Sequence, residues 1–185
     1  MNEQPLPQRK SPRLKGYDYS QEGAYFVTIC TYQRIHLFGD VVNGKMEFSD
    51  FGQIAHSLWA TISDHRSNIF LDAHVVMPNH MHGILFITDQ QYSPQTPVGM
   101  RRASSVASQN HSKGSRSGTL GTIIGAYKSA VTRNINQQMG LRSPIVWQDS
   151  FHDHIICSEQ ALNNLRQYVD TNPTRWAEDT LYKDI

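Results

Sequence analysis

Two histidines one residue apart, His80 and His82, head the second apolar run of His74-Val75-Val76-Met77-Pro78-Asn79-His80-Met81-His82-Gly83-Ile84-Leu85-Phe86-Ile87. Side chains alternate faces along a strand, so both imidazoles point one way and Met81 the other, with their Cα atoms about 7 Å apart. Two neutral imidazoles on one face can hold one metal ion if a third ligand arrives from elsewhere. The bland alternative is a pair of surface or supporting histidines, since the chain carries nine. The Pro78-Asn79 pair before them reads as a turn between two strands.

A nucleophile and a further ligand have candidates near the end of the chain. Of eight tyrosines, Tyr168 and Tyr127 fall on helices that matter. Tyr168 precedes Asn172 by four residues, and positions i and i+4 share a helical face. A phenol and an amide oxygen can therefore approach the same ion from one helix. Asn172 equally suits a helix C-cap before Pro173, and Tyr168 could simply pack beside Leu162, Leu165 and Val169. Tyr127 lies on an apolar stripe, where a tyrosine belongs to the core with its hydroxyl satisfied at the edge. Asp153 and His154 are weaker candidates that would orient a ligand. Phosphate and water need open positions on the metal, which points to Mg²⁺ or Mn²⁺, and imidazole favours Mn²⁺. Zn²⁺ stays open, although the motif lacks a third strong His or Cys ligand.

The elements that must position these groups follow from pattern. Ala24 to Thr31 alternates as a strand. Val41 to Phe48 carries Asn43-Gly44 between apolar flanks, a hairpin signal. Ser49 or Asp50 caps a helix reaching about His65, with Phe51, Ile54, Ala55, Leu58, Trp59 and Ile62 at helical spacing. Residues 69–77 and 80–88 form two strands. Leu120 to Met139 is a helix stopped by Gly140. His152 to Cys157 is a short strand, and Ser158 caps a last helix ending near Thr171, before Pro173. Links between adjacent strands are too short for parallel crossovers. The order predicts an α+β fold: a ferredoxin-like antiparallel sheet with helices packed mainly on one face.

The block Val75-Val76-Met77-Pro78-Asn79-His80-Met81-His82-Gly83 resembles the HUH motif (His, hydrophobic, His) of the single-tyrosine transposases. Three further segments carry the likeness toward the REP-associated tyrosine transposases, relatives of the small insertion-sequence transposases that cut single-stranded DNA. Arg13-Leu14-Lys15-Gly16-Tyr17-Asp18-Tyr19 with Ala24 to Thr31 is similar to that family's lead-in and first strand. Val146-Trp147-Gln148-Asp149-Ser150-Phe151-His152-Asp153-His154 is similar to its W-Q-x-x-F/Y-x-x-H segment, and Tyr168-Val169-Asp170-Thr171-Asn172-Pro173 to its Y-x-x-x-N-P ending. Four segments in order, over about residues 9 to 177, are far more specific than His-x-His alone. The resemblance implies the fold of the HUH endonucleases and Tyr168 as the catalytic tyrosine. It also implies a single-stranded or hairpin DNA partner, such as repeated extragenic palindromes, and either a monomer or a homodimer.

The chemistry would be attack of the Tyr168 phenolate on phosphorus, departure of the 3′-hydroxyl, and a 5′-phosphotyrosine intermediate. Two rival functions are a non-catalytic single-stranded nucleic-acid-binding module and a metal-dependent phosphohydrolase using water. Composition bounds these only loosely. The 185 residues suit one domain, and the net charge of +1 gives a nucleic-acid binder no global support. Local charge does better. Arg9, Lys10, Arg13 and Lys15 make residues 1–23 a basic arm and candidate DNA contacts. Residues 89–118 read as a mobile basic loop within a catalytic domain of residues 24–177, and residues 178–185 as a tail. Two distant cysteines, Cys30 and Cys157, and no apolar leader or run of about 20 residues fit a cytoplasmic protein without a membrane partner.

Overall fold

In the computed structural model, which describes residues 17–88, 118–140 and 145–182, the alternation beginning at Ala24 becomes β1 (Gly23–Cys30). The Asn43-Gly44 signal becomes a hairpin of β2 (Gly39–Val42) and β3 (Lys45–Phe48), with both turn residues at positive φ. Then come α1 (Asp50–Ala60), β4 (Ile69–Met77), β5 (His80–Ile87), α2 (Leu120–Met139), β6 (His152–Ile156) and α3 (Glu159–Thr171). A 3-10 helix, Pro173–Glu178, follows α3. No helix among the described residues is long and apolar enough to cross a membrane. The basic residues Arg9, Lys10, Arg13 and Lys15, and all but the last residue of the loop 89–118, lie outside the described residues.

Helix ends follow their side chains. Ser49 caps α1 by accepting from Gly52 N–H at 3.1 Å, while its own hydroxyl donates to Leu37 carbonyl at 2.8 Å. The helix stops at Ala60, five residues short of the predicted His65. Thr61 turns its hydroxyl back on Leu58 carbonyl at 2.9 Å, and the chain tightens into a 3-10 turn at Ser63–His65. Gly140 ends α2 in the left-handed region with φ 64°. Ser158 caps α3.

Four strands form one antiparallel sheet in the order β4-β5-β1-β6. With α1 after β1 and α2 after β5, this is the ferredoxin-like arrangement, since both crossovers join parallel, non-adjacent strands. Both crossover helices cover one face. Tyr25, Val27 and Ile29 of β1 and Met81, Leu85 and Ile87 of β5 form one core with Ala55 and Trp59 of α1 and Ile123, Ile124, Tyr127, Val131 and Ile135 of α2. Trp59 lies so close to β5 that a Cβ on Gly83 would come within 2.3 Å of its ring. The third helix has no crossover to complete. It lies across the opposite face, its Tyr168 ring 5.1 Å from His82 and 6.1 Å from Phe26. Arg166 ties it to β4 through Asp72 at 2.9 Å. Two helices thus share a face as expected, and the third makes the back of the sheet a covered site.

Candidate functional site

Strand pairing builds the site. β1 sets Thr28 opposite His82 and Cys30 opposite His80. His80 and His82 are buried on the α3 face, their ring centroids 4.5 Å apart. Their Nε2 atoms meet at 3.0 Å. His80 Nδ1–H donates to Asn79 Oδ1 at 2.8 Å, which fixes the tautomer and leaves Nε2 bare. His82 Nδ1 lies 2.8 Å from the Thr28 hydroxyl. That hydroxyl can donate or accept, so His82 can present either a proton or a lone pair at Nε2. Burial, then His82, then Arg34 pushes the His80 pKa well below the usual histidine range. Burial pulls His82 down to about 4, with Asp179 opposing. Both rings are therefore neutral near pH 7, the form that binds metal.

The third member comes from beyond α3. After Asn172 the 3-10 turn buries Trp176 beside His80, with ring centroids 5.8 Å apart, and brings Asp179 back over the sheet. Asp179 Oδ2 stands 4.0 Å from His80 Nε2, and its side chain is all but buried. Asp179 Oδ1 accepts from Leu181 N–H at 2.7 Å, which holds the carboxylate in place. Asn172 Nδ2 donates to Asp179 Oδ2 at 2.9 Å, and Asn172 Oδ1 is buried with no hydrogen-bond partner. The amide orientation follows from the carboxylate, which accepts only a donor. The Tyr168 hydroxyl completes the group, 3.1 Å from His82 Nε2 and 3.3 Å from Asp179 Oδ2. Burial first, then Asp179, pushes the phenol up to about 12. Tyr168 is nevertheless 38% exposed, unlike the other members.

This donor set fits a divalent ion. Ligand atoms at right angles on an ion about 2.1 Å away stand about 3.0 Å apart, and the two Nε2 atoms are 3.0 Å apart. His80, His82 and Asp179 each aim one ligand atom into a cluster spanning less than 4.8 Å. The orphaned Asn172 oxygen is a second sign, since a buried acceptor without a partner costs about 1–3 kcal/mol. Two imidazole nitrogens with a carboxylate oxygen can hold a divalent cation.

The structure brings together four of the residues singled out in the sequence, His80, His82, Tyr168 and Asn172. Asp179 was missed, because an aspartate in a short stretch without periodicity carries no spacing signal. Asp153 and His154 lie apart from the cluster. His154 pairs with Phe26 on the edge strand β6 and is exposed, and Asp153 points to the other face of that strand. Tyr127 is buried in the core, its hydroxyl donating to Ala55 carbonyl at 2.9 Å.

No protein-family model matches the chain. An uncharacterized protein of Haemophilus influenzae is 35% identical over 177 residues, covering 95% of this chain and 94% of its own. The chain belongs to the family of that protein. Among solved structures, a REP-associated tyrosine transposase bound to a REP hairpin superposes with a TM-score of 0.55. It shares 17% identity, over 91% of this chain and 74% of that one. The fold is that of a REP-associated tyrosine transposase.

Proposed function

We propose that the protein is a metal-dependent endonuclease and strand transferase for single-stranded DNA, with Tyr168 as its nucleophile. The observation that carries this reading is one exposed phenol set 3.1 Å from His82 Nε2 and 3.3 Å from Asp179, at the rim of an otherwise buried donor set. His80, His82 and Asp179 would hold the metal, Mg²⁺ or Mn²⁺, and the unpaired oxygen of Asn172 would be a further ligand. A divalent ion there supplies positive charge for the phosphate oxygens and offsets the push of Asp179 on the phenol.

Tyr168 attacks phosphorus as its proton leaves to the solvent it faces. A Tyr168 Oη–P bond forms, the P–O3′ bond breaks, and the departing 3′-oxygen takes up a proton. The 5′-phosphate stays on Tyr168 as a phosphodiester, so the reverse attack by a 3′-hydroxyl rejoins strands without an outside energy source. The Asn79–His80 and Thr28–His82 hydrogen bonds keep the imidazoles in register through the cycle. The solved transposase carries a REP hairpin, and we infer a hairpin with single-stranded flanks as the partner here too. Arg9, Lys10, Arg13 and Lys15 are proposed phosphate contacts.

One denaturing gel separates this reading from its rivals. With end-labelled single-stranded DNA carrying a REP-like hairpin and Mn²⁺, we expect a protein–DNA band that survives denaturant and is absent in EDTA. Cut product without that band would mean water is the nucleophile. Binding without cutting would mean a binding module.

A further inference from the structure

The chain between β1 and β2 wraps the turn that precedes His80. Thr31, fully buried, donates through N–H to Asn79 carbonyl at 2.9 Å and through its hydroxyl to Asn79 and Ile35 carbonyls at 2.9 and 2.8 Å. Leu37 and Phe38 N–H groups both donate to Pro78 carbonyl, at 2.9 and 3.0 Å. Between these anchors stand Gln33 and Arg34, with φ values of 54° and 55°. Two successive non-glycine residues in the left-handed region are held at a cost, about 1–3 kcal/mol each. The anchors on Pro78 and Asn79 keep them there. Two residues on, His36 lies 5.8 Å from Trp176, whose ring is 5.8 Å from His80. The strained turn is therefore bolted to the edge of the metal cluster.

Arg34 is the cation on that turn. It is half-buried, and no carboxylate among the described residues pairs with it. It stands four residues beyond Cys30, the residue opposite His80 on β1, and three beyond Thr31, which is bonded to Asn79 next to His80. Its neighbours Tyr32 and Ile35 are 40% and 45% exposed, so described protein leaves room at the turn for an incoming strand. A buried donor set with one carboxylate gains from a second positive group only when a further anion enters. We propose that Arg34 is a phosphate-binding residue, its guanidinium fork taking a non-bridging oxygen of the phosphodiester presented to Tyr168. A guanidinium suits that task because it offers two parallel donors to phosphate and stays charged at every working pH. This rests on the reading of the site as a strand-cutting centre.

The test uses the full chain carrying Tyr168→Phe, to prevent turnover, and a fluorescent single-stranded hairpin oligonucleotide in Mn²⁺. Arg34→Asn removes the charge but keeps a side chain that tolerates positive φ, so the turn is retained. We expect it to weaken binding about 10-fold or more and to lower the slope of log affinity against log salt by about 0.7. Mn²⁺ affinity should not fall below the parent's, because the lost charge opposes a cation at His80, and melting temperature should stay as in the parent. Arg34→Lys keeps the charge and should recover the slope. Unchanged affinity and slope in Arg34→Asn would overturn the proposal, and so would Arg34→Lys behaving like Arg34→Asn while both melt like the parent. The two readings fail separately. If wild type forms no adduct yet Arg34→Asn still loses affinity and slope, the phosphate site stands and the tyrosine chemistry falls. If wild type and Arg34→Asn form adduct equally and bind equally, the chemistry stands and the role of Arg34 falls.

Discussion

Replacing Asp179 by Asn tests the member of the cluster that carries the only negative charge. The change is isosteric and keeps an oxygen to accept from Leu181 N–H, so the segment over the sheet should stay in place. What it removes is charge at Oδ2, the atom 4.0 Å from His80 Nε2, 3.3 Å from Tyr168 Oη and 2.9 Å from Asn172 Nδ2. Loss of a group that merely orients a ligand costs about 10–100-fold in metal affinity. Loss of a ligand charge should reach at least the upper end, about 100-fold or 2.7 kcal/mol. The same change should move the Tyr168 phenol the other way. Asp179 is the second cause, after burial, of its rise to about 12, so in the metal-free variant the phenol should titrate lower. Calorimetric titration with Mn²⁺ reads the first effect, and ultraviolet difference titration of metal-free protein against Tyr168→Phe reads the second. Mn²⁺ affinity within about 3-fold of wild type would show that the carboxylate is no ligand. An unmoved phenol would show that the Tyr168–Asp179 contact is absent in solution.

Three other outcomes follow from the packing. Gly83→Ala pushes a methyl into the Trp59 ring, where its Cβ would lie 2.3 Å from Cζ2; we expect a loss of about 1–3 kcal/mol in urea unfolding, and unchanged stability would mean that α1 does not press on β5. Tyr127→Phe should cost about 1 kcal/mol through the lost bond to Ala55 carbonyl while leaving adduct formation intact. His74 is held down to about 4 by burial and then by His56. Its folded pKa lies below the ordinary 6.5, so the unfolded chain binds the extra proton, and stability is full above about 6.5 and lost as pH falls toward 4. His74→Gln should flatten that part of the stability–pH curve, and an unchanged slope would place the titration elsewhere.

Most elements were legible in the sequence because each carried a local signal. The alternation from Ala24, the Asn43-Gly44 turn, Ser49 and Ser158 as caps and Gly140 as a stop all act within a few residues. The helical spacing continues through Ile62 and so predicts a longer α1, but the Thr61 hydroxyl, turned back on Leu58 carbonyl, ends the helix first. Strand parity put His80 and His82 on one face, and helix period put Tyr168 and Asn172 together. Neither period says which side of the sheet α3 takes. That depends on its following the last strand without a crossover to complete. Asp179 was illegible for a related reason: its position depends on the buried Trp176 and on hydrogen bonds to Leu181 and Asn172, which no spacing rule encodes.

The central claim is that Tyr168 becomes covalently joined to DNA, and peptide mass spectrometry of the denatured adduct tests it most directly. Wild-type protein is incubated with single-stranded hairpin DNA and Mn²⁺, quenched, and digested with nuclease and protease. We expect a nucleotide 5′-phosphate mass on the peptide bearing Tyr168, and no adduct from Tyr168→Phe, whose fold and metal affinity should match wild type. A nucleotide mass on any other tyrosine, or adduct formed by Tyr168→Phe, would contradict the claim.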